Sequence, residues 1–484
     1  MRETELAIVG AGAAGLSAAA EAAEHGVKVT VLDDNAQPGG QYFRQLPRAY
    51  RRTAATGWDK EQARWNTLLG LARQPGVTLM SDTVVWEAPE DGVIAFARGQ
   101  ESGRLKARQS LVAAGAHDRP VPFPGWTLPG VLTAGGFQNL IKGQRAMPGR
   151  RVAVAANGPL GLLVAANVVK AGAKLVVLAE SAPVPKRLCG ELANLAFAPR
   201  IVRQAIDYGW TVARSGAPVL YGWTAIAARG ARELEEVVMA PIGADGAIDH
   251  TKAQSFAADT LVLGFGLTPS VELLRAMGCR LEWNAARGGW MPVRDAELAT
   301  SKPAVLAAGD GSGIGGVEMA LLEGKLAGIV AAERVGRLDG ARAGAAKRAV
   351  QAKIARLSRF RAALERLYAQ PATWLELLTP ETVVCRCEEV TAGELLDRTA
   401  EGFDSTFALK GTTRVSMGRC QGRNCLRTLQ ALVARETGAA IEDVAMPRAR
   451  PPARLVTIGD ILSEQLPPIE LPKDPHLPRG EQVN

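Results

Sequence analysis

The chain has 484 residues, 47% apolar and 22% charged, the balance of a folded globular protein. That excludes disorder, collagen and coiled coil for its bulk, and at about 150 residues per domain the length predicts roughly three domains. A formal charge of +8 is mild for this size and carries no nucleic-acid signal. Six cysteines are too few for a disulfide framework. No uncharged apolar run approaches the length of a membrane span. Met1-Arg2-Glu3-Thr4-Glu5 has no secretory character, so a cytoplasmic protein with reduced thiols is expected.

Leu6 to Val9 is a short apolar strand leading into Gly10-Ala11-Gly12-Ala13-Ala14-Gly15. An Ala-rich helix continues to about His25, and a second strand, Val27 to Leu32, ends at Asp33-Asp34. Each position has a reason. Gly10 permits a tight turn, Gly12 lets the backbone approach a pyrophosphate, and Gly15 lets helix and strand pack closely, with Ala14 beside it. The helix N-terminus offers N–H groups and partial positive charge to phosphates. Asp33, or else Asp34, then accepts hydrogen bonds from ribose hydroxyls.

Three further segments favour FAD over NAD. Pro38-Gly39-Gly40-Gln41 suits a loop beside a dinucleotide, and the strand before Ala114-Gly115-Ala116 ends in a tight turn. The strand Ala304 to Ala308 ends at Gly309-Asp310, and a helix follows from about Gly316. An acid at a strand end suits ribityl hydroxyls, and the helix N-terminus can face the pyrimidine edge of a flavin. Together these segments resemble the glutathione reductase-like flavoproteins over residues 1–335. The fold class is therefore α/β, with two Rossmann-like domains.

A second copy starts about 146 residues later: strand Arg151 to Ala155, turn Ala156-Asn157-Gly158-Pro159-Leu160-Gly161, a helix, and strand Lys174 to Leu178. Ala156 replaces the first glycine. The acid position falls on Ala179, with Glu180 one place late. In the family resembled, this unit holds NAD(P)H; here both departures point to a relic or redirected surface, with a working nucleotide site as the alternative. Asp259 to Gly266 is read as closing this domain. Cys189 and Cys279 lack near partners, so disulfide reductase chemistry is set aside and both are expected to be small buried residues.

A stretch at 340–368 carries Arg342, Lys347, Arg348, Lys353, Arg356, Arg359, Arg361 and Arg366. It reads as a solvated linking helix or as a docking face for an acidic partner or anionic membrane. Cys385-Arg386-Cys387 follows a short strand, and Cys420-Gln421-Gly422-Arg423-Asn424-Cys425 runs into the helix Leu426 to about Thr437. Four thiolates in two close pairs suit a [2Fe–2S] cluster or tetrahedral zinc. The segment contains no His, which excludes Rieske ligation. It resembles the bacterioferritin-associated-ferredoxin-like [2Fe–2S] domains, with their C-x-C and C-x4-C pairs, which favours the cluster.

The expected organisation is an FAD domain in two pieces (1–120 and 295–335), a degenerate nicotinamide-type domain (121–294), a basic helical linker (336–379), a small α-rich [2Fe–2S] domain (380–446) and a Pro-rich tail (447–484). This order, with Pro38-Gly39-Gly40-Gln41-Tyr42 and Met417 to Cys425, resembles the large alpha subunits of bacterial heteromeric amine dehydrogenases: opine oxidases, D-hydroxyproline dehydrogenases and hydrogen cyanide synthase. The resemblance implies a partner beta subunit of the amino acid or sarcosine oxidase type, with room for a small gamma subunit. It also implies a respiratory electron acceptor and at most peripheral membrane association. A stand-alone NAD(P)H-dependent reductase is the alternative, and NAD or ATP the alternative nucleotides. His25, His117, His250 and His476 are scattered, and no catalytic acid or base is assigned.

Overall fold

The computed structural model describes residues 1–45, 65–70, 72–99, 101–369, 374–447 and 449–465. Strand β1 (Arg2–Val9), helix α1 (Ala13–Glu24) and strand β2 (Val29–Leu32) open the chain. The alanines of α1 favour helix, and the helix stops where His25 and the left-handed Gly26 (φ 74°) turn the chain back. All four residues of β2 are buried, as expected of a parallel strand covered on both faces. Strands β3 (Val77–Met80), β4 (Val84–Glu90), β5 (Val93–Arg98) and β6 (Glu101–Val112) complete a sheet ordered β3-β2-β1-β6-β5-β4. A later strand, β19 (Val305–Ala307), pairs with β6.

Strand β7 (Ala116–Asp118) leads out of this domain to β8 (Val131–Thr133), β9 (Arg151–Ala156), α2 (Pro159–Lys170), β10 (Lys174–Glu180), α3 (Val184–Leu195), α4 (Pro199–Arg214) and β11 (Val219–Tyr221). A three-stranded antiparallel sheet follows, made of β12 (Trp223–Arg229), β13 (Glu236–Pro241) and β14 (Gln254–Ala257). Then β15 (Thr260–Gly264) inserts between β9 and β8, giving a second sheet ordered β11-β10-β9-β15-β8. β16 (Leu267–Pro269) pairs with β7, so the outward and return crossings run side by side.

The return to the first domain comes earlier than residue 295. In the short helix α5 (Glu272–Ala276), Leu273 and Leu274 are buried in one cluster with Val9, Leu32 and Val305, as is Cys279. Strands β17 (Leu281–Asn284) and β18 (Gly289–Pro292) follow as an antiparallel hairpin. Helix α6 (Val317–Arg334) packs along α1. Cys189, expected to be buried, is exposed.

Helix α7 (Gly340–Leu367) is not a free-standing linker. It packs on α6 and then on α3, strapping the two domains together, with Val350, Phe360, Ala363 and Leu367 buried. Several of its cations are engaged. Lys347 meets Glu297 and Glu333, Arg366 pairs with Glu191, and Arg359 lies over Phe197. The C-terminal unit consists of β20 (Val383–Cys385), β21 (Val390–Thr391), α8 (Ala392–Ala400), α9 (Thr406–Thr413) and α10 (Leu426–Thr437) around its own core. Beyond it, Val456 and Ile461 of the last described segment, which includes α11 (Ile458–Gln465), pack against Trp86. The Pro-rich tail after Gln465 lies outside the described residues.

The second glycine turn differs from the sequence expectation. β10 pairs with β9 through a bulge between Leu175 and Val177, and beyond it Glu180 stands opposite Ala156. The bulge absorbs one residue and returns an acid to the place Asp33 holds in the first unit. Glu180 accepts from the N–H groups of Gly158 (3.0 Å) and Ala182 (2.9 Å). Burial nevertheless pushes its carboxyl up to about 8.

This raised value has a consequence for stability. Between the ordinary carboxylate range and pH 8 the unfolded chain releases a proton that the folded chain keeps, so stability falls as pH rises across that window. Replacing Glu180→Gln should remove this slope. Urea midpoints at pH 5 and pH 8 should differ less in the variant than in the parent.

Candidate functional site

Five segments converge at the C-terminal end of the first sheet, where doubly wound folds bind ligands. The glycine turn is the centre. A Cβ on Gly10 (φ 104°) would come 2.4 Å from the Ala113 carbonyl oxygen, and one on Gly15 would come 1.9 Å from the Gly10 carbonyl oxygen. Both must therefore be glycine for packing alone. Gly12 is different: its Cβ would meet nothing nearer than the Gly40 Cα at 3.9 Å. It caps α1, and among the described residues no side-chain cap accepts from that helix start. The space beside Gly12 is a cradle that a Cβ would fill, next to an uncapped helix N-terminus suited to phosphate.

Asp33, not Asp34, sits at the turn. It is buried and accepts from the N–H of Ala11 and from Asn35 through both backbone N–H (2.9 Å) and Nδ2 (3.0 Å). Asp34 is exposed, 3.7 Å from the Arg454 guanidinium. The Gly39 N–H donates to the Ala11 carbonyl (2.8 Å), laying Gly39-Gly40 across the turn. Gln41 then accepts from Arg44 at 2.8 Å. Arg44 was not singled out by sequence. It is part-buried beside the crevice, where desolvation lowers its guanidinium pKa while the nearby Asp33 and Asp34 oppose the shift.

Ala114 and Gly115 (φ 69°) follow β6, and a Cβ on Gly311 would lie 3.0 Å from the Gly115 carbonyl oxygen. Gly309 packs on Ala14, and its N–H donates to Glu323 at 2.8 Å. Asp310 accepts from the N–H groups of Gly315 (2.8 Å) and Gly316 (2.9 Å), the start of α6. Beneath this loop Arg294 and Glu323 form a buried pair with two 3.1 Å bonds. Arg294 also donates to the carbonyls of Ala307 and Ser312. This brace lay outside the motifs and had no local sequence signal.

The four cysteines come together as two facing pairs, Cys385 with Cys425 and Cys387 with Cys420. Backbone N–H groups of Glu388 and Ser416 point at Cys385, and those of Gly422 and Asn424 at Cys420. Glu389, Ser416 and Gln421 adopt positive φ (58°, 67° and 53°), which turns N–H groups inward. Gly418 is pressed against Cys387: a Cβ there would come 2.2 Å from the Cys387 Cβ. The hydrogen bond from Cys425 holds the Cys385 thiol down at about 5 despite its burial. Among the described residues, no three His, Cys, Asp or Glu side chains converge as a metal-holding group. What the loop does present is sulfur atoms with backbone N–H donors aimed at them, and a buried Ser416 hydroxyl with no partner among the described residues.

The cysteine loop docks on the first domain at β7. His117 Nε2–H donates to the Arg423 carbonyl at 3.1 Å, and Arg423 pairs with Glu272 at 3.1 Å. Arg427 donates to the Gly288 carbonyl (2.6 Å) and stacks over Trp283. Trp126 donates to the Val383 carbonyl at 2.7 Å. The loop between Cys420 and Cys425 thus touches the first domain at His117, a short step along the chain from Gly115.

A dinucleotide crevice of this construction belongs to the FAD-dependent oxidoreductases. Residues 4–207 match the pyridine nucleotide-disulphide oxidoreductase family, and residues 379–464 match the sarcosine oxidase A3 domain. An opine oxidase subunit of Agrobacterium tumefaciens (strain Ach5) is 32% identical over 469 residues, covering 94% of this chain and 91% of the relative. Hydrogen cyanide synthase subunit HcnB of Pseudomonas protegens is 33% identical over 448 residues, covering 92% and 94%. The chain belongs to this family of oxidase subunits. L-proline dehydrogenase from P. horikoshii shares the fold, with a TM-score of 0.67 at 19% identity over 95% of this chain and 79% of that one. No helix among the described residues is long and apolar enough to cross a membrane.

The contrast between Gly12 and Gly15 separates ligand from packing. Gly15→Ala should lower the stability of flavin-free protein by about 1–3 kcal/mol through overpacking. Gly12→Ala should cost under about 1 kcal/mol, a capping effect only. It should nonetheless reduce bound flavin per chain severalfold, read from the visible absorbance of purified protein.

Proposed function

We propose that this chain is the electron-transfer subunit of a heteromeric enzyme that oxidises an amine, such as an opine, D-hydroxyproline or a related amino acid. FAD lies against Gly10, Gly12, Ala14, Gly15, Asp33, Gly39, Gly40, Gln41, Ala114, Gly115, Gly309 and Asp310. Cys385, Cys387, Cys420 and Cys425 hold a [2Fe–2S] cluster. Together such groups exchange an electron pair on one side and single electrons on the other. The protein's part is positional. Glu323 and Arg294 fix the Gly309-Asp310 loop, and the N–H groups around the cysteines offset the charge of four thiolates. The amine is oxidised on a separate beta subunit, and the electrons leave to a respiratory acceptor, on the cytoplasmic side of the membrane.

The observation that carries this reading is the docking of the cysteine loop, through His117 and Arg423, beside Gly115 at the mouth of the crevice. Two redox groups placed there would be neighbours. The names of the relatives, each belonging to one component of an oxidase or synthase, support a multi-subunit enzyme. Among the described residues, neither crevice nor cysteine loop presents an arrangement of acid and base suited to amine oxidation.

Iron analysis and low-temperature EPR test the reading. Aerobically purified protein should contain about two irons per chain, as expected for one cluster, and Cys385→Ser or Cys425→Ser should lose them while keeping flavin. One zinc and no iron would refute the cluster. The chain alone should not reduce a dye with opines or hydroxyproline and should do so once its beta partner is added. Turnover of these amines by the isolated chain would refute the division of labour.

A further inference from the structure

We propose that the C-terminal turn of α7 permanently closes the second glycine turn, so that this unit holds no pyridine nucleotide and the chain accepts no hydride from NADH or NADPH. This stands independently of the cysteine cluster. The family matched over residues 4–207 is named for pyridine nucleotide, and the second unit carries the departures Ala156 and Glu180.

The two sequence departures do not block it. The Ala156 methyl is fully buried, and it fits because Gly161 and Gly264 flank it: Cβ atoms there would come 2.3 and 3.2 Å from it. It points into the packing beneath the turn. Glu180 occupies the acid position because of the bulge in β10.

The block comes from elsewhere in the chain. Asn157, inside the turn, donates through Nδ2 to the Tyr368 carbonyl at 3.0 Å. Tyr368 caps α7, and burial, with Glu180 and Tyr221 nearby, raises its phenol. Two clamps from α3 hold this end in place. Arg187 donates to the carbonyls of Arg366 (3.3 Å), Leu367 (3.2 Å) and Ala369, and Arg366 grips Glu191 with both nitrogens. A helix C-terminus carries partial negative charge, and the Tyr368 carbonyl at this end meets the turn. Here it is brought to the N-terminal end of α2, the polarity a pyrophosphate would otherwise meet. The Tyr368 carbonyl, held by Asn157 at this turn, presents its oxygen to an approaching phosphate and repels it. The block is not crowding over the glycine: a Cβ on Gly158 would meet nothing within 4 Å, and one on Gly12 nothing nearer than the Gly40 Cα at 3.9 Å.

The test uses FAD-loaded full-length protein, with NADH and ADP-ribose as probes. By equilibrium dialysis neither should saturate below about 1 mM, and NADH should not bleach the flavin anaerobically. The double variant Arg187→Ala/Arg366→Ala, which releases the strap, should gain at least tenfold in NADH binding. Ala156→Gly should gain nothing. Saturable binding of NADH to the parent protein at tens of micromolar would overturn the proposal, as would a gain in Ala156→Gly without one in the released strap. Hydrogen exchange of the parent gives a check that needs no variant: protection at 364–369 should be unchanged by NADH, and a change there would equally overturn it.

Discussion

The molecule rests on the close approach of backbones around the first glycine turn. A Cβ on Gly324 of α6 would come 2.2 Å from the Ala14 carbonyl oxygen, and one on Gly328 would come 2.8 Å from that of Ala18. With Gly15 on Gly10, these contacts press α6, α1 and β1 into one tight stack. At such spacing large side chains have no room in this stack. Several rings lie at seams instead. Trp126 and Trp283 meet the cysteine unit, Trp374 meets Phe265, and Trp86 meets the final segment.

Charge is used at the same places with a different purpose. The Arg294–Glu323 pair is almost wholly buried. Such a pair adds little net stability, but losing one partner leaves an uncompensated charge. Its geometry ties β19, the Gly309-Asp310 loop and α6 into one arrangement, so the loop that would face a flavin is set by the core and not by solvent. The exposed pair of Asp34 with Arg454 is of the kind worth little.

Much of this was legible locally. The strand–glycine–helix–acid unit, the Gly39-Gly40 loop, the Gly309-Asp310 strand end and the close spacing of the cysteines each depend on residues a few positions apart, and the structure forms these local elements. What was not legible depends on distant partners. Leu273 and Leu274 could serve either domain by hydropathy, and only sheet topology assigns them to the first. A β-bulge has no signature in Leu175 to Val177, so Glu180 read as misplaced. Ala156 read as an obstacle because Gly264, which makes room for it, lies over a hundred residues away. The cations of α7 read as a solvated face because Glu191, Glu297 and Glu333 are not on that helix.

The two glycine turns share a design and differ in what completes them. Both have an acid that accepts an N–H from the turn, and both begin a helix without a side-chain cap. The Gly39-Gly40 loop crosses the first, and the second is met by a helix end through Asn157 and the Tyr368 carbonyl. A turn built for phosphate has unpaired positive polarity, which some negative group must answer. Where a chain supplies that group itself, the unit gains an internal fastening and loses a ligand. Here the fastening is also the junction between domains, since α7 reaches it after crossing α6. Opening the second unit to a nucleotide would therefore loosen the strap that sets one domain against the other.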